Sequence, residues 1–325
     1  MRVVRRALER PIESKRRETG ALLESIRQTE PFARFRKADN LDPFPLRSTV
    51  PRYDLHCHST HSDGLLTPAA VVARAAARGV DFLALTDHDE LSGLAEARCA
   101  ASEAGIELVC GAELSVSWND NTLHVVALGI DPENPRLTEG LDAIRIGRSA
   151  RARRIGDALA AAGIEGAYEG AMKYVTSERL VSRTHFARYL VEAGYARETK
   201  DVFKRYLTRG NPGYVAHPWA TLSQAVGWIH AAGGQAVIAH PGRYKINATG
   251  MRGLLAEFCD IGGDAIEVLS PSHTSAQYTE FATYSRVFEL RGSCGSDWHG
   301  PGESWMDFGD LPEMPTGVVP VWKDW

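Results

Sequence analysis

From Tyr53 onward the chain repeats one unit: a short apolar strand, a helix with its own start and stop signals, then another strand. Tyr53–His58 reads as the first strand. Thr67-Pro68 supplies an N-cap and a favoured first helical residue, Ala69–Arg78 is Ala-rich helix, and Gly79 ends it. Asp81–Thr86 follows as a buried strand and Leu91–Ala104 as a second helix closed by Gly105. Strands are then expected over Glu107–Ser117, Thr122–Gly129, Gln235–Ala239, Asp264–Leu269 and Arg291–Ser296. Strands alternating with helices predict a mostly parallel sheet, and this many units favour a closed or distorted barrel.

What stands at the strand ends is unusual. The first strand runs into His56-Cys57-His58-Ser59-Thr60-His61-Ser62-Asp63-Gly64, and the second into Thr86-Asp87-His88-Asp89. A strand sends residues i and i+2 to one face, so His56 and His58 point together while Cys57 points away. Of the 11 histidines, His56, His58, His88, His124, His240 and His299 all lie at or beside predicted strand ends. Asp63, Glu113 and Asp297 join them. Burying so many polar groups unpaired at one end of a barrel is costly. Imidazoles and carboxylates converging there suit a divalent cation of borderline hardness. The carboxyl ends of barrel strands are also where such folds keep active sites.

Bulk properties exclude several other classes. Residues 1–52 hold 13 Lys/Arg against 7 Asp/Glu, leaving a body from residue 53 that is net acidic, with 24 against 34. This body offers no broad basic track for nucleic-acid phosphates. The five cysteines (Cys57, Cys99, Cys110, Cys259 and Cys294) are scattered and form no C-x-x-C pair, which argues against a disulfide framework or zinc ribbon and suits a reducing cytoplasm. No apolar run approaches a membrane span. Residues 1–52 read as a weakly ordered basic extension. Residues 53–134 and 221–325 carry the strand–helix rhythm. Between them, residues 135–220 read as helices (Leu141–Ala162, Ser182–Ala193 and Thr199–Leu207), an α-helical insertion of the kind that covers a barrel mouth.

The elements D-L-H-C-H-S-T-H-S-D-G, L-T-D-H-D, G-A-E, L-H-V-V-A-L-G, V-I-A-H-P-G and G-S-D-W-H together resemble the PHP (polymerase and histidinol phosphatase) family from Tyr53 to the C-terminus. The resemblance implies a distorted (β/α)7 barrel holding two or three divalent ions, manganese first, with zinc or iron as alternatives. By motif, the implied ligands are His56, His58, Asp63, His88, Glu113, His124, His240, Asp297 and His299. A metal-bridging hydroxide held by Glu113 and Asp297 is the implied nucleophile. Asp87 is expected to orient a ligand histidine, and His61 to sit in an outer shell.

Within that family, Ser182-Arg183-Thr184-His185-Phe186-Ala187-Arg188, Gly213-Tyr214-Val215 and Ala239-His240-Pro241-Gly242-Arg243-Tyr244 resemble a branch acting on nucleoside 3′,5′-bisphosphates and on RNA 5′ ends. The implied activity is removal of the 5′-phosphate from compounds such as 3′-phosphoadenosine 5′-phosphate, with 5′ to 3′ trimming of short RNA beside it. Arg183, His185 and Arg243 are the candidate phosphate contacts, since a guanidinium forks onto phosphate. His217 offers a further imidazole, and Trp219 either stacks a base or packs a helix start. No obligate protein partner is evident. The alternatives are a histidinol-phosphate phosphatase and a noncatalytic metal-stabilised module.

Overall fold

A computed structural model describes residues 50–175 and 177–325. The basic extension therefore lies outside the described residues up to position 49. The described residues form eight strands: β1 (Tyr53–Asp54), β2 (Phe82–Leu85), β3 (Glu107–Trp118), β4 (Asn121–Leu128), β5 (Ala220–Thr221), β6 (Gln235–Ile238), β7 (Ala265–Leu269) and β8 (Arg291–Cys294). Seven of them run in the order β1-β2-β3-β4-β6-β7-β8, with β5 added beside β3. The two outer strands meet: Leu55 N–H donates to the Cys294 carbonyl at 3.0 Å, and His58 N–H to the Trp298 carbonyl at 2.9 Å. The sheet is thus a distorted seven-stranded barrel. Gly295 makes the closure sterically feasible, because a Cβ there would lie 2.2 Å from the His56 Cβ.

Pairing is parallel except around β4, which is antiparallel to both β3 and β6. A tight turn at Asn119-Asp120, with φ of 41° and 61°, reverses the chain. This reversal brings the start of β4, rather than its end, to the barrel mouth. His124, Val126 and Leu128 share one face of β4. The two apolar members pack one step deeper with Leu55, Ala84, Val237, Ala239, Ala265 and Val321.

Helices α1 (Pro68–Ala77) and α2 (Leu94–Ala104) cover β1 and β2, and α7 (Leu222–Ala231), α8 (Ala248–Asp260) and α9 (Ser275–Val287) cover the later strands. Thr67 caps α1 through its hydroxyl, and Gly105 closes α2 in left-handed backbone at φ 69°. Between β4 and β5 lie α3 (Pro135–Ala161), α4 (Ala167–Met172), α5 (Arg183–Glu192) and α6 (Thr199–Val202), the last running into a π-turn at Phe203–Leu207. Helix α3 starts six residues before the expected Leu141, because Asn134 accepts from Arg136 N–H and Pro135 occupies the first helical position. Its two halves serve different cores. Leu137, Leu141 and Ile144 pack on the barrel, whereas Ala152, Ile155 and Leu159 join Phe186 and Leu190 in a separate apolar cluster. Each buried leucine or isoleucine among these contributes about 1.5–3 kcal/mol, so α3 ties the helical segment firmly to the barrel.

Candidate metal centre

All nine residues singled out by motif converge at the barrel mouth. They form four groups whose ligand atoms lie within 4.8 Å of one another: His56, His58 and Asp297; His56, Glu113 and His240; His88, Glu113 and His124; and His58, Asp63, His88 and His299. Among the described residues these groups contain the nine and no others. The backbone is bent to present them. His240 and Asp297 leave their strands at φ 27° and 45°, conformations costing about 1–3 kcal/mol that surrounding structure must hold.

Several of the spacings suit donors that share one ion. His56 Nε2 lies 3.3 Å from Glu113 Oε2 and 3.6 Å from Asp297 Oδ1, and His58 Nε2 lies 3.3 and 3.4 Å from the same two oxygens. Donors about 2.1 Å from a tetrahedral ion are separated by about 3.4 Å. The other Glu113 oxygen faces His124 Nδ1 at 2.6 Å and His240 Nε2 at 2.9 Å. Asp63 Oδ1 lies 3.7 Å from His88 Nε2 and 3.4 Å from His299 Nε2. His56 Nε2, His58 Nε2, Asp63 Oδ1 and Glu113 Oε2 are buried without any hydrogen-bond partner. Orphaned lone pairs aimed at one another demand positive charge between them. The donor set fits divalent cations.

The electrostatics say the same. Burial alone would lower the His58 imidazole, but Asp297 and Glu113 hold it up at about 10. Burial would raise the Glu113 carboxyl, yet His124, His88 and His56 keep it well below its ordinary value. Burial, reinforced by Arg243, pushes His240 down to about 3, leaving its imidazole neutral at neutral pH. Protons on the imidazoles and cations between them are alternative answers to one concentration of carboxylate charge.

Residues behind the ligands were only partly foreseen. Asp87 accepts from Ser59 N–H at 2.7 Å and from the Ser59 and Ser62 hydroxyls at 2.6 Å each, and Ser62 in turn lies 3.4 Å from His58 Nδ1. It therefore shapes the ligand loop and reaches a histidine only through Ser62. His61 hydrogen-bonds Ser92 at 2.7 Å, at the edge of the cluster. Glu267 was missed: its two oxygens meet His56 Nδ1 at 2.7 Å and His240 N–H at 2.5 Å. One signal could have found it, as it is the charged residue in the apolar strand Ala-Ile-Glu-Val-Leu.

Above the cluster, Arg148, Arg151, Arg183 and Arg243 line a cleft with Trp219 and Phe203. Arg243 donates to Asp297 at 2.9 Å, and Arg148 to buried Asp89 through Nε at 2.7 Å and through Nη2. Arg151 and Arg183 hydrogen-bond to carbonyls, Val215 at 3.1 Å and Leu207 at 3.5 Å, and to no carboxylate among the described residues. Burial, with Arg183 and Arg148 nearby, pushes Arg151 down to about 9, so it keeps its charge at neutral pH. Arg148 and Arg151 escaped the sequence reading because an arginine on a helix face looks the same whether solvated or lining a site. Two expected contacts lie elsewhere. His185 is fully buried, and its Nδ1 accepts Ser182 N–H at 3.0 Å as a helix cap. His217 packs edge-on against Trp219 with centroids 4.4 Å apart, outside the cleft lining. Trp219 itself carries the guanidiniums of Arg148 and Arg151, 5.1 and 5.4 Å from its ring centroid, which explains its place better than an open stacking surface.

Residues 54–207 match the family model described as PHP domain. The 3′,5′-nucleoside bisphosphate phosphatase of Chromobacterium violaceum is 50% identical over 271 residues, 83% of this chain and 95% of that protein. A 5′-3′ exoribonuclease of Haemophilus influenzae is 43% identical over 272 residues, 84% of this chain and 98% of its own length. A solved structure from Chromobacterium violaceum, described as an amidohydrolase with bound sulfate and no metal, superposes with a TM-score of 0.81 at 50% identity, covering 84% of this chain and 95% of that one. A seven-stranded barrel with this ligand constellation, matched over most of its length by such relatives, belongs to the PHP domain family.

Proposed function

We propose that this chain is a divalent-cation-dependent phosphohydrolase acting on nucleoside 3′,5′-bisphosphates and, by the same hydrolysis, on the 5′ end of short RNA. The observation that carries the reading is the adjacency of two unlike anion-seeking devices. The nine-ligand cluster lies at the floor of the cleft, and Arg151 and Arg183 stand above it without a carboxylate partner. A substrate with one reacting and one non-reacting phosphate would satisfy both. The names of the relatives agree with such a substrate.

In this reading His56, His58, Glu113 and Asp297 frame one cation position, Glu113, His124 and His240 a second, and Asp63, His88 and His299 a third. Mixed imidazole and carboxylate donors admit manganese, which we assign first, with zinc and iron as alternatives. Bound there, such ions lower the pKa of a water nucleophile and neutralise the phosphoryl oxygens. Glu267 fixes the His56 ring through Nδ1, leaving Nε2 for the site. Arg151 and Arg183 would hold the second phosphate at a fixed distance from the cluster.

Residues 53–134 and 221–325 form the catalytic barrel in this account, and 135–220 an insertion that roofs it, supported by its separate apolar cluster. Cytoplasmic residence fits the five free thiols. No helix among the described residues is long and apolar enough to cross a membrane.

The test is metal-dependent phosphate release from 3′-phosphoadenosine 5′-phosphate, compared with histidinol phosphate. Release from the first alone is expected. No release from either refutes the reading, and preference for histidinol phosphate transfers it to that alternative. The nucleotide product identifies the ester cut. Loss of the 5′-phosphate leaves a nucleoside 3′-phosphate. Stepwise release of 5′-nucleotides from RNA instead requires water to attack the phosphorus on the 3′ side, with the 5′-phosphate held on the arginines. One site serving both substrates favours that second cut.

A further inference from the structure

The helical insertion does more than stand over the barrel, because α5 and its cap hold Asp63 and the loop that follows His299, two of the three sides of one cation position. Asp63 Oδ1 faces His88 and His299, while Asp63 Oδ2 accepts the Ser182 hydroxyl at 2.9 Å. The direction of that bond is settled locally. Ser182 Oγ already accepts Thr184 N–H at 3.1 Å as the cap of α5, so its one proton is left for Asp63. A carboxylate turns about a broad torsion unless one oxygen is held. Two turns along the helix, Arg188 forks onto Glu303, with Nε and Nη2 each 2.7 Å from a carboxylate oxygen, and Nη2 also donates to the Asp63 carbonyl at 2.6 Å. Glu303 lies on the loop that follows His299, whose own N–H donates to Ser304 Oγ at 2.8 Å. Arg188 and Ser182 thus clamp the Asp63 loop and the His299 loop from the insertion side.

We infer that Ser182 is a positioning residue of the metal centre, and that the cation position framed by Asp63, His88 and His299 is completed by the insertion rather than by the barrel alone. The inference rests on the cation-binding reading above. Removing a group that orients a ligand weakens metal affinity roughly 10- to 100-fold. The weakening here is expected at one position only.

The experiment is a competition titration of Mn²⁺ against a chromophoric chelator, with bound manganese counted by elemental analysis after dialysis. Wild type is compared with Ser182→Ala, Ser182→Gly and Ser182→Thr. Glycine retains most of the N-cap stability that alanine loses, yet neither donates to Asp63. Both should lose affinity at one position by roughly 10- to 100-fold, and threonine, which keeps the hydroxyl, should restore it. Wild-type affinity at every position in the glycine variant overturns the inference, whether or not alanine weakens binding, because the effect would then follow the helix cap. A threonine variant as weak as alanine overturns it too. A wild type that binds none of Mn²⁺, Zn²⁺ and Fe²⁺ overturns the metal reading itself, and this inference with it.

Discussion

Glu267→Gln is the sharpest perturbation of this site, since it changes two hydrogen-bonding atoms and almost no volume. Glu267 is 1% exposed and accepts from two donors, His56 Nδ1 at 2.7 Å and the His240 backbone at 2.5 Å. Neither donor can reverse its role. An amide N–H only donates, and His56 must keep its proton on Nδ1 if Nε2 faces the cluster. Glutamine brings one acceptor and one NH₂, so in either orientation one buried donor meets another. An unsatisfied buried donor costs about 1–3 kcal/mol, or roughly 5- to 140-fold in an equilibrium constant. The loss falls on metal binding, because Glu267 meets the ring of His56 and the backbone of His240, which stands at φ 27°. Mn²⁺ titration of the variant should show that weakening, with a melting curve in chelator to separate it from lost stability. A variant that binds Mn²⁺ within twofold of wild type would refute the claim that Glu267 aims these ligands.

Two further outcomes follow from the same geometry. Chelation should lower the melting temperature and Mn²⁺ should restore it; at a hundredfold excess over Kd, one ion stabilises by about 2.7 kcal/mol, roughly 5 °C for a domain of this size, and a calorimetric scan indifferent to chelator would reject the cluster as a cation site. Arg183→Ala and Arg151→Ala should each raise KM for a nucleoside 3′,5′-bisphosphate more than they lower kcat, while leaving KM for a nucleoside monophosphate ester little changed; a pure kcat effect in steady-state assays would place these guanidiniums on the transition state instead.

Much of the site was legible because strand periodicity and strand ends are local properties. His56 and His58 declare a shared face by their spacing, and His88 and His240 each follow a short apolar run, bounded by turn residues, that reads as a buried strand. The barrel was legible for the same reason, down to the helices begun by Thr67-Pro68 and ended by Gly105. The long helix start at Asn134-Pro135 was equally local and was passed over, although a cap followed by proline announces it.

What the chain determines by itself is therefore the kind of chemistry: imidazoles and carboxylates at strand ends, waiting for cations. Which groups aim those ligands was decided only by folding. Glu267 meets His56 across 211 residues, and Ser182 meets Asp63 across 119. Arg148 and Arg151 become part of a cleft because α3 lies against the barrel at that register, and His185 becomes a cap because its ring turns back onto Ser182. Orientation is a property of pairs, and pairs brought together by closure of a barrel leave no periodic trace in the sequence of either partner.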